Sequence, residues 1–244
     1  MKISRSATAF IATFAAAALT TAYAGTPSIC GDVNGNGTVT SGDALLVLKN
    51  AVGQPIELLC PSVAQILKTG ETTSYGDGSD GALQAGAPRS FTDNGDGTIT
   101  DNTTGLMWEK KDRSGGVHEQ DAFFIWSDSG SAMDGNIVSF FLAALNDGDG
   151  FAGHKDWRIP NQNELLSLLD YGTANPAIAP EFNSNCAPGC TVLNCSCTRS
   201  DFYWSSTTSE ALATRGWTVS FGDGAAATTY KSISLNARAV RTAF

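Results

Sequence analysis

Phe91-Thr-Asp-Asn-Gly-Asp-Gly-Thr-Ile-Thr-Asp101 is the stretch that decides the fold. Asn-Gly and Asp-Gly stand between two short β-prone runs, a strong local signal for an antiparallel hairpin. A further turn at Thr104-Gly105 leads into Leu106-Met107-Trp108, an apolar strand. Asp93, Asp96 and Asp101 are read as turn chemistry, because short acidic side chains accept hydrogen bonds from nearby backbone N–H groups. A second cation among them is the less favoured reading.

Toward the C-terminus, Phe123, Phe124 and Trp126 mark an apolar segment. Asn136 to Leu145 carries Ile137, Phe140, Phe141, Ala144 and Leu145 at helical spacing, which predicts an amphipathic helix. A second helix opens after Pro160. Asn161 is a good N-cap and Glu164 stands three residues on, a capping-box arrangement. Leu165, Leu166, Leu168 and Leu169 supply its buried face, and its end is expected near Tyr171-Gly172. Phe202 to Thr208 is aromatic and β-prone. Trp217, Val219 and Phe221 alternate with Thr218 and Ser220, which predicts a strand with one buried face. Gly222-Asp223-Gly224 is a hairpin turn, Ala225 to Lys231 the return, and Leu235 to Arg241 the last strand. Strands, two helices and further strands predict an α+β domain with antiparallel sheets.

Upstream lies Asp32-Val-Asn-Gly-Asn-Gly-Thr-Val-Thr-Ser-Gly-Asp43, a twelve-residue loop of calcium-binding form. Asp32, Asn34, Asn36, Thr40 and Asp43 hold loop positions 1, 3, 5, 9 and 12, and the carbonyl of Thr38 serves position 7. Gly37 sits where the sharp turn needs positive φ. Ala44 to Gly53 then reads as a short helix, so the first module is EF-hand-like and its cofactor is Ca2+. Two carboxylates facing a dication place the affinity on the order of 10⁻⁴–10⁻³ M.

Met1 to Ala24 reads as a secretory signal: Lys2 and Arg5, an apolar run from Ala9 to Leu19, and a small-x-small cleavage site at Ala22-Tyr23-Ala24. The run is shorter than the ~20 apolar residues of a membrane span, and no later segment is long enough. The expected location is secreted or cell-surface, with the periplasm as alternative. The organisation is then a signal peptide at 1–24, a calcium-loop module at 25–60, a Gly/Ser/Thr/Asp-rich connector at 61–88, and the larger domain at 89–244.

The six cysteines fit export. Cys30 and Cys60 flank the calcium module, where one disulfide would close it. Cys186, Cys190, Cys195 and Cys197 form a cluster that in a reducing compartment would read as zinc ligation. Behind a signal segment, two disulfides are the favoured reading. Cys195 and Cys197 are too close to bridge each other. The nested pairing, Cys186–Cys197 with Cys190–Cys195, matches a hairpin register, and the crossed pairing stays open.

The formal net charge of the chain is −9. Loss of Lys2 and Arg5 with the signal would take it to −11. Such a chain is a poor nucleic-acid binder. Lys110, Lys111 and Arg113 are the only local basic cluster; Glu109 and Asp112 interrupt it, and it reads as a solvated loop.

The larger domain resembles the family of the Lcl C-terminal domain. The carrying pieces are FTDNGDGTITDNTTGLMW (Phe91 to Trp108), DWRIPNQNELLSLLDY (Asp156 to Tyr171), FYWSSTT (Phe202 to Thr208) and ARAVR (Ala237 to Arg241), in family order. The resemblance implies a C-type-lectin-like fold. The first module resembles half of a dockerin, which implies calcium binding and, for a complete dockerin, a cohesin-like partner. No second loop copy follows Gly53. The adhesin after which the family is named binds sulfated glycans, which need a basic surface. Residues 61–244 carry 12 Lys/Arg against 21 Asp/Glu, so a neutral glycan or a protein ligand suits this chain better.

No His-Glu-x-x-His, Gly-x-Ser-x-Gly or phosphate-cradling loop occurs. His118 and His154, the only histidines, read as surface or structural residues. Trp108, Trp126, Trp157, Trp204 and Trp217 read as core rather than sugar-stacking platforms, and Arg158, Arg238 and Arg241 as pairing residues. The functional expectation is a non-catalytic, adhesin-like or carbohydrate-binding protein whose ligand surface lies around Cys186–Cys197 and the turn at Asp223. Two further readings are an accessory subunit of a polysaccharide-degrading assembly, recruited through the dockerin-like half, and a hydrolase on this fold.

Overall fold

A computed structural model describes residues 40–51 and 66–243. The chain divides into two units, Met1–Val63 and Ala64–Phe244. In the first, helix α1 (Ser41–Ala51) overlaps the last three residues of the stretch 32–43 and covers most of the helix expected over 44–53. Asp32, Asn34, Asn36, Thr38, Cys30 and Cys60 lie outside the described residues.

The larger unit is built on antiparallel sheets with few and short helices, an α+β arrangement that is mostly β. Strands β1 (Phe91–Asp93), β2 (Thr98–Asp101) and β3 (Leu106–Glu109) form the expected meander. The final strand β9 (Val240–Thr242) joins β3 to give the order β1-β2-β3-β9. Ile99 faces Trp108 and Trp108 faces Val240 across this sheet. All three are fully buried, so one cross-strand row founds the first core, which Leu165, Leu168, Leu169 and Phe182 complete.

A three-stranded sheet holds β5 (Phe202–Thr208), β6 (Arg215–Ser220) and β7 (Ala226–Tyr230). Successive side chains of a strand point to opposite faces. Tyr203 accordingly enters the first core while Trp204 enters a second one, with Phe124, Trp126, Ile137, Phe141 and Trp157. Trp204 Nε1 donates to the Phe124 carbonyl at 2.9 Å. Because a core lies on each side, β6 does not show one buried face as its alternation suggested. Val219 is buried, Thr218 and Ser220 are buried as well, and Trp217 is only half-buried. The Thr218 hydroxyl donates to the Ala227 carbonyl, which satisfies it inside.

Three elements differ from expectation for physical reasons. The helix over Asn136 to Leu145 is wound wide: Ile137–Leu142 is a π-helix, followed by α-helical Ala143–Asn146. Widening keeps residues four apart on one face and turns those three apart away from it. Ile137, Phe141 and Leu145 are buried, whereas Phe140 is 59% exposed and Ala144 is exposed too. The second helix is regular only over Gln162–Leu166, with both hydrogen bonds of its N-terminal capping box formed. Beyond it the Ser167 hydroxyl donates back to the Glu164 carbonyl, and Leu168 and Leu169 continue in tighter three-residue turns. The last strand is split. Ser234–Leu235 (β8) pairs with Phe124–Ile125 (β4), and Val240–Thr242 pairs with β3. Asn236 to Ala239 cross between the sheets, fully buried.

Residues 66–88, the described part of the stretch 61–88 read as a connector, are hydrogen-bonded to one another and to the body of this unit. Lys68 N donates to Ala87 O, Ala87 N to Ile66 O, and Tyr171 N to Thr69 O. A short helix α2 (Asp80–Leu83) lies within this stretch. Gly81 packs against the Thr73 backbone so closely that a Cβ there would sit 2.1 Å from its carbonyl oxygen.

The Asn161 carboxamide accepts from Glu164 N, and Glu164 accepts from Asn161 N at 2.7 Å. Loss of a cap of this kind costs about 1 kcal/mol. Asn161→Ala is expected to lower stability by about that amount in urea denaturation, with the slope of the transition unchanged.

Candidate functional site

The chain leaves β3 through Glu109-Lys110-Lys111-Asp112, and all four residues are buried. This corrects the reading of Lys110, Lys111 and Arg113 as a solvated loop; Arg113 alone of the three is partly exposed. Glu109 and Lys111 are two apart on extended chain and so share a face. Lys111 Nζ donates to Glu109 Oε1 at 2.9 Å. Phe141 covers the ammonium, 4.1 Å from ring centroid to Nζ. Lys110 points the other way and pairs with Asp93 at 2.8 Å.

Glu109 gathers three donors. His118 Nδ1 lies 2.8 Å from Oε1 and donates to it; Ala239 N donates to Oε2 at 2.9 Å. Burial pushes the Glu109 carboxyl up, but Lys111 and His118 outweigh it and hold the group below its ordinary value. His118 is thus a structural partner, its ring also packed 4.3 Å from that of Phe151.

Arg238, fully buried, ties this centre to the cysteine loop. Its guanidinium donates to the Glu109 carbonyl, the Cys197 carbonyl and the Thr198 hydroxyl at 2.7–2.8 Å. Its partners are neutral oxygens rather than a carboxylate. Arg241 pairs with Asp156 at 2.7 Å, and Arg158 reaches both Glu164 oxygens. Arg158 and Arg241 are thus paired with carboxylates as expected, whereas Arg238 is not.

The cysteines form the nested pair, Cys186–Cys197 and Cys190–Cys195. Lys111 O accepts from Cys197 N, and Arg113 exchanges backbone hydrogen bonds with Cys190 and Gly189. The loop is therefore laid along the segment that leaves β3. Its outer side presents Ala187, Pro188, Gly189, Thr191 and Asn194, with Leu193 at 64% exposure. The turn at Asp223 sits elsewhere on the framework, bonded to Asn175 and Tyr171. Just before that turn, Phe221 N donates to the Asp201 carbonyl.

Four of the five tryptophans are core residues: Trp108, Trp126, Trp157 and Trp204. The hairpin acids are committed locally. Asp96 accepts from Thr98, Asp101 from Thr103 and Thr104, and Asp93 from Gly95 N. These contacts are turn chemistry. In the calcium-type loop, Thr40 is exposed and its hydroxyl oxygen accepts from Gly42 N at 3.2 Å, while Asp43 lies within α1.

The family model of the Lcl C-terminal domain matches residues 97–241, more than half of the chain. This protein belongs to the Lcl C-terminal domain family. No curated protein and no solved structure matches the chain. The pieces that carry the Lcl C-terminal pattern converge in space. The first ends at Trp108, which faces Val240 of the last, and Arg158 of the second pairs through its backbone with Val240 as well. Sequence reasoning missed Glu109 and Lys111 as buried residues. The signal was present: like-face spacing directly after a buried Trp108.

Removing one member of a buried pair strands the other, at about 3–5 kcal/mol. Glu109→Gln is expected to destabilise the domain by that much, and Lys111→Met added to it to restore most of the loss. The depressed Glu109 group contributes stability that is fully present above its unfolded pKa, ordinarily 4.5, and lost as pH falls through the lower folded value. Urea titrations from pH 7 down to below 4 should therefore show a steeper decline in the wild type than in the double variant.

Proposed function

We propose that this chain is a secreted or surface-exposed recognition protein without catalysis, adhesin-like or carbohydrate-binding. Its larger unit, on this reading, is a C-type-lectin-like domain, and its first unit is a dockerin-like calcium module. The observation that carries the proposal is the exposed loop from Cys186 to Cys197, closed by two disulfides and anchored from within by Arg238. A loop held in one conformation loses little entropy when a ligand settles on it. Small and polar side chains, Thr191 and Asn194, flank the exposed Leu193, a mixture suited to the hydroxyls and C–H faces of a neutral sugar.

Membership in the Lcl C-terminal family supports an adhesin-like role, and the acidic balance argues for uncharged rather than sulfated glycans. Calcium would be held by Asp32, Asn34, Asn36, the Thr38 carbonyl, Thr40 and Asp43, where it would stiffen the first unit. Among the described residues no helix is long and apolar enough to cross a membrane.

Glycan-array screening of the oxidised chain, with Ca2+ and again with chelator, tests the reading. Retention of neutral glycans is expected, lost with Leu193→Asp and on disulfide reduction. Polysaccharide turnover by the same protein, or an array without retained sugars, would sink it. Calorimetry should return one Ca2+ per chain with a Kd on the order of 10⁻⁴–10⁻³ M, and no heat for Asp32→Ala.

A further inference from the structure

Three of the four sulfurs of the stapled loop lie close together although they belong to two separate disulfides. Cys197 Sγ is 3.8 Å from Cys190 Sγ and 3.8 Å from Cys195 Sγ. The Sγ atoms of these three residues all fall within 4.8 Å of one another, and Cys186 is bonded to Cys197. A zinc ion with thiolates at about 2.3 Å sets its sulfurs about 3.8 Å apart, at the corners of a tetrahedron. The two non-bonded spacings already match that edge.

From this we propose that the reduced loop is a thiolate site for a soft divalent ion, zinc in the first instance, with Cys190, Cys195 and Cys197 already clustered and Cys186, once freed from Cys197, turning in as the fourth ligand. The site is distinct from the calcium loop and independent of the recognition reading. Among the described residues no imidazole or carboxylate joins the cluster, and an all-sulfur donor set selects zinc over calcium or magnesium. Cys195 and Cys197 are buried, whereas Cys186 and Cys190 are partly exposed, so the ion has a dry seat and an entry side. Hydrogen bonds from Cys197 N to Lys111 O and from Arg238 to Cys197 O hold the inner cysteine in place without the disulfides.

The chemistry balances. Two equivalents of a dithiol supply four electrons and four protons, cleave both S–S bonds to four thiols, and leave as two disulfides. One Zn2+ then displaces the four thiol protons. The same cluster is thus a disulfide staple in an oxidising compartment and a metal staple in a reducing one, as in the interval before oxidation.

Anaerobic titration of the reduced full chain with Co2+ reports on the site, followed by displacement with Zn2+. The expected result is one Co2+ per chain with the intense visible absorption of tetrahedral thiolate cobalt, absent from the oxidised chain. Cys30→Ser/Cys60→Ser should keep the signal, and Cys190→Ser/Cys195→Ser should lose it. Thermal melts of each reduced sample, with and without Zn2+, accompany the titration. A rise in melting temperature with Zn2+ in the reduced wild type supports the site even where the serine variant fails to fold. No cobalt absorption and no zinc-dependent shift in the reduced wild type, or a signal that follows Cys30 and Cys60, would overturn it.

Discussion

A single buried carboxylate organises the larger unit. Glu109 stands where β3 ends and accepts from Lys111, His118 and the backbone of Ala239. Each of these donors comes from a different part of the architecture: the segment leaving the sheet, the loop beyond it, and the crossing between β8 and β9. Desolvating a carboxylate and an ammonium costs several kcal/mol for each ion, and their attraction returns a comparable amount. The arrangement is therefore better understood as positional than as a large net gain in stability. It allows only one register in which three distant segments meet.

Arg238 extends that centre to the surface. With its guanidinium on the carbonyls of Glu109 and Cys197, the sheet and the cysteine loop become one rigid piece. The disulfides constrain the loop from outside and Arg238 from inside. Around this axis the two apolar cores are divided by β5, whose consecutive Tyr203 and Trp204 serve one core each. The final segment has to pass between them, which is why it breaks into two short strands and why Asn236 to Ala239 are buried without belonging to either sheet.

Membership in the Lcl C-terminal family rests on pieces that sit at these junctions. Trp108, Arg158, Trp204 and Arg238 are framework residues, chosen by packing and by the satisfaction of buried polar groups. The outward side of the loop from Cys186 to Cys197 belongs to none of them.

Much of the architecture was legible along the chain because its signals are local. The meander from Phe91 to Trp108 follows from Asn-Gly and Asp-Gly turns, the helix start at Asn161 from a reciprocal cap, and the short range of the cysteines made the nested pairing the favoured one. What the sequence by itself determined is thus the antiparallel class, the element order and the place of the stapled loop. Tertiary structure decided the rest. The widened helix at Ile137, the two-sided burial of β6, the split of the last strand and the burial of Lys110 and Lys111 all depend on partners far away in sequence. A lysine beside an aspartate looks solvated until a carboxylate and a phenyl ring close over it, because the free energy of a charge is set by what surrounds it in space.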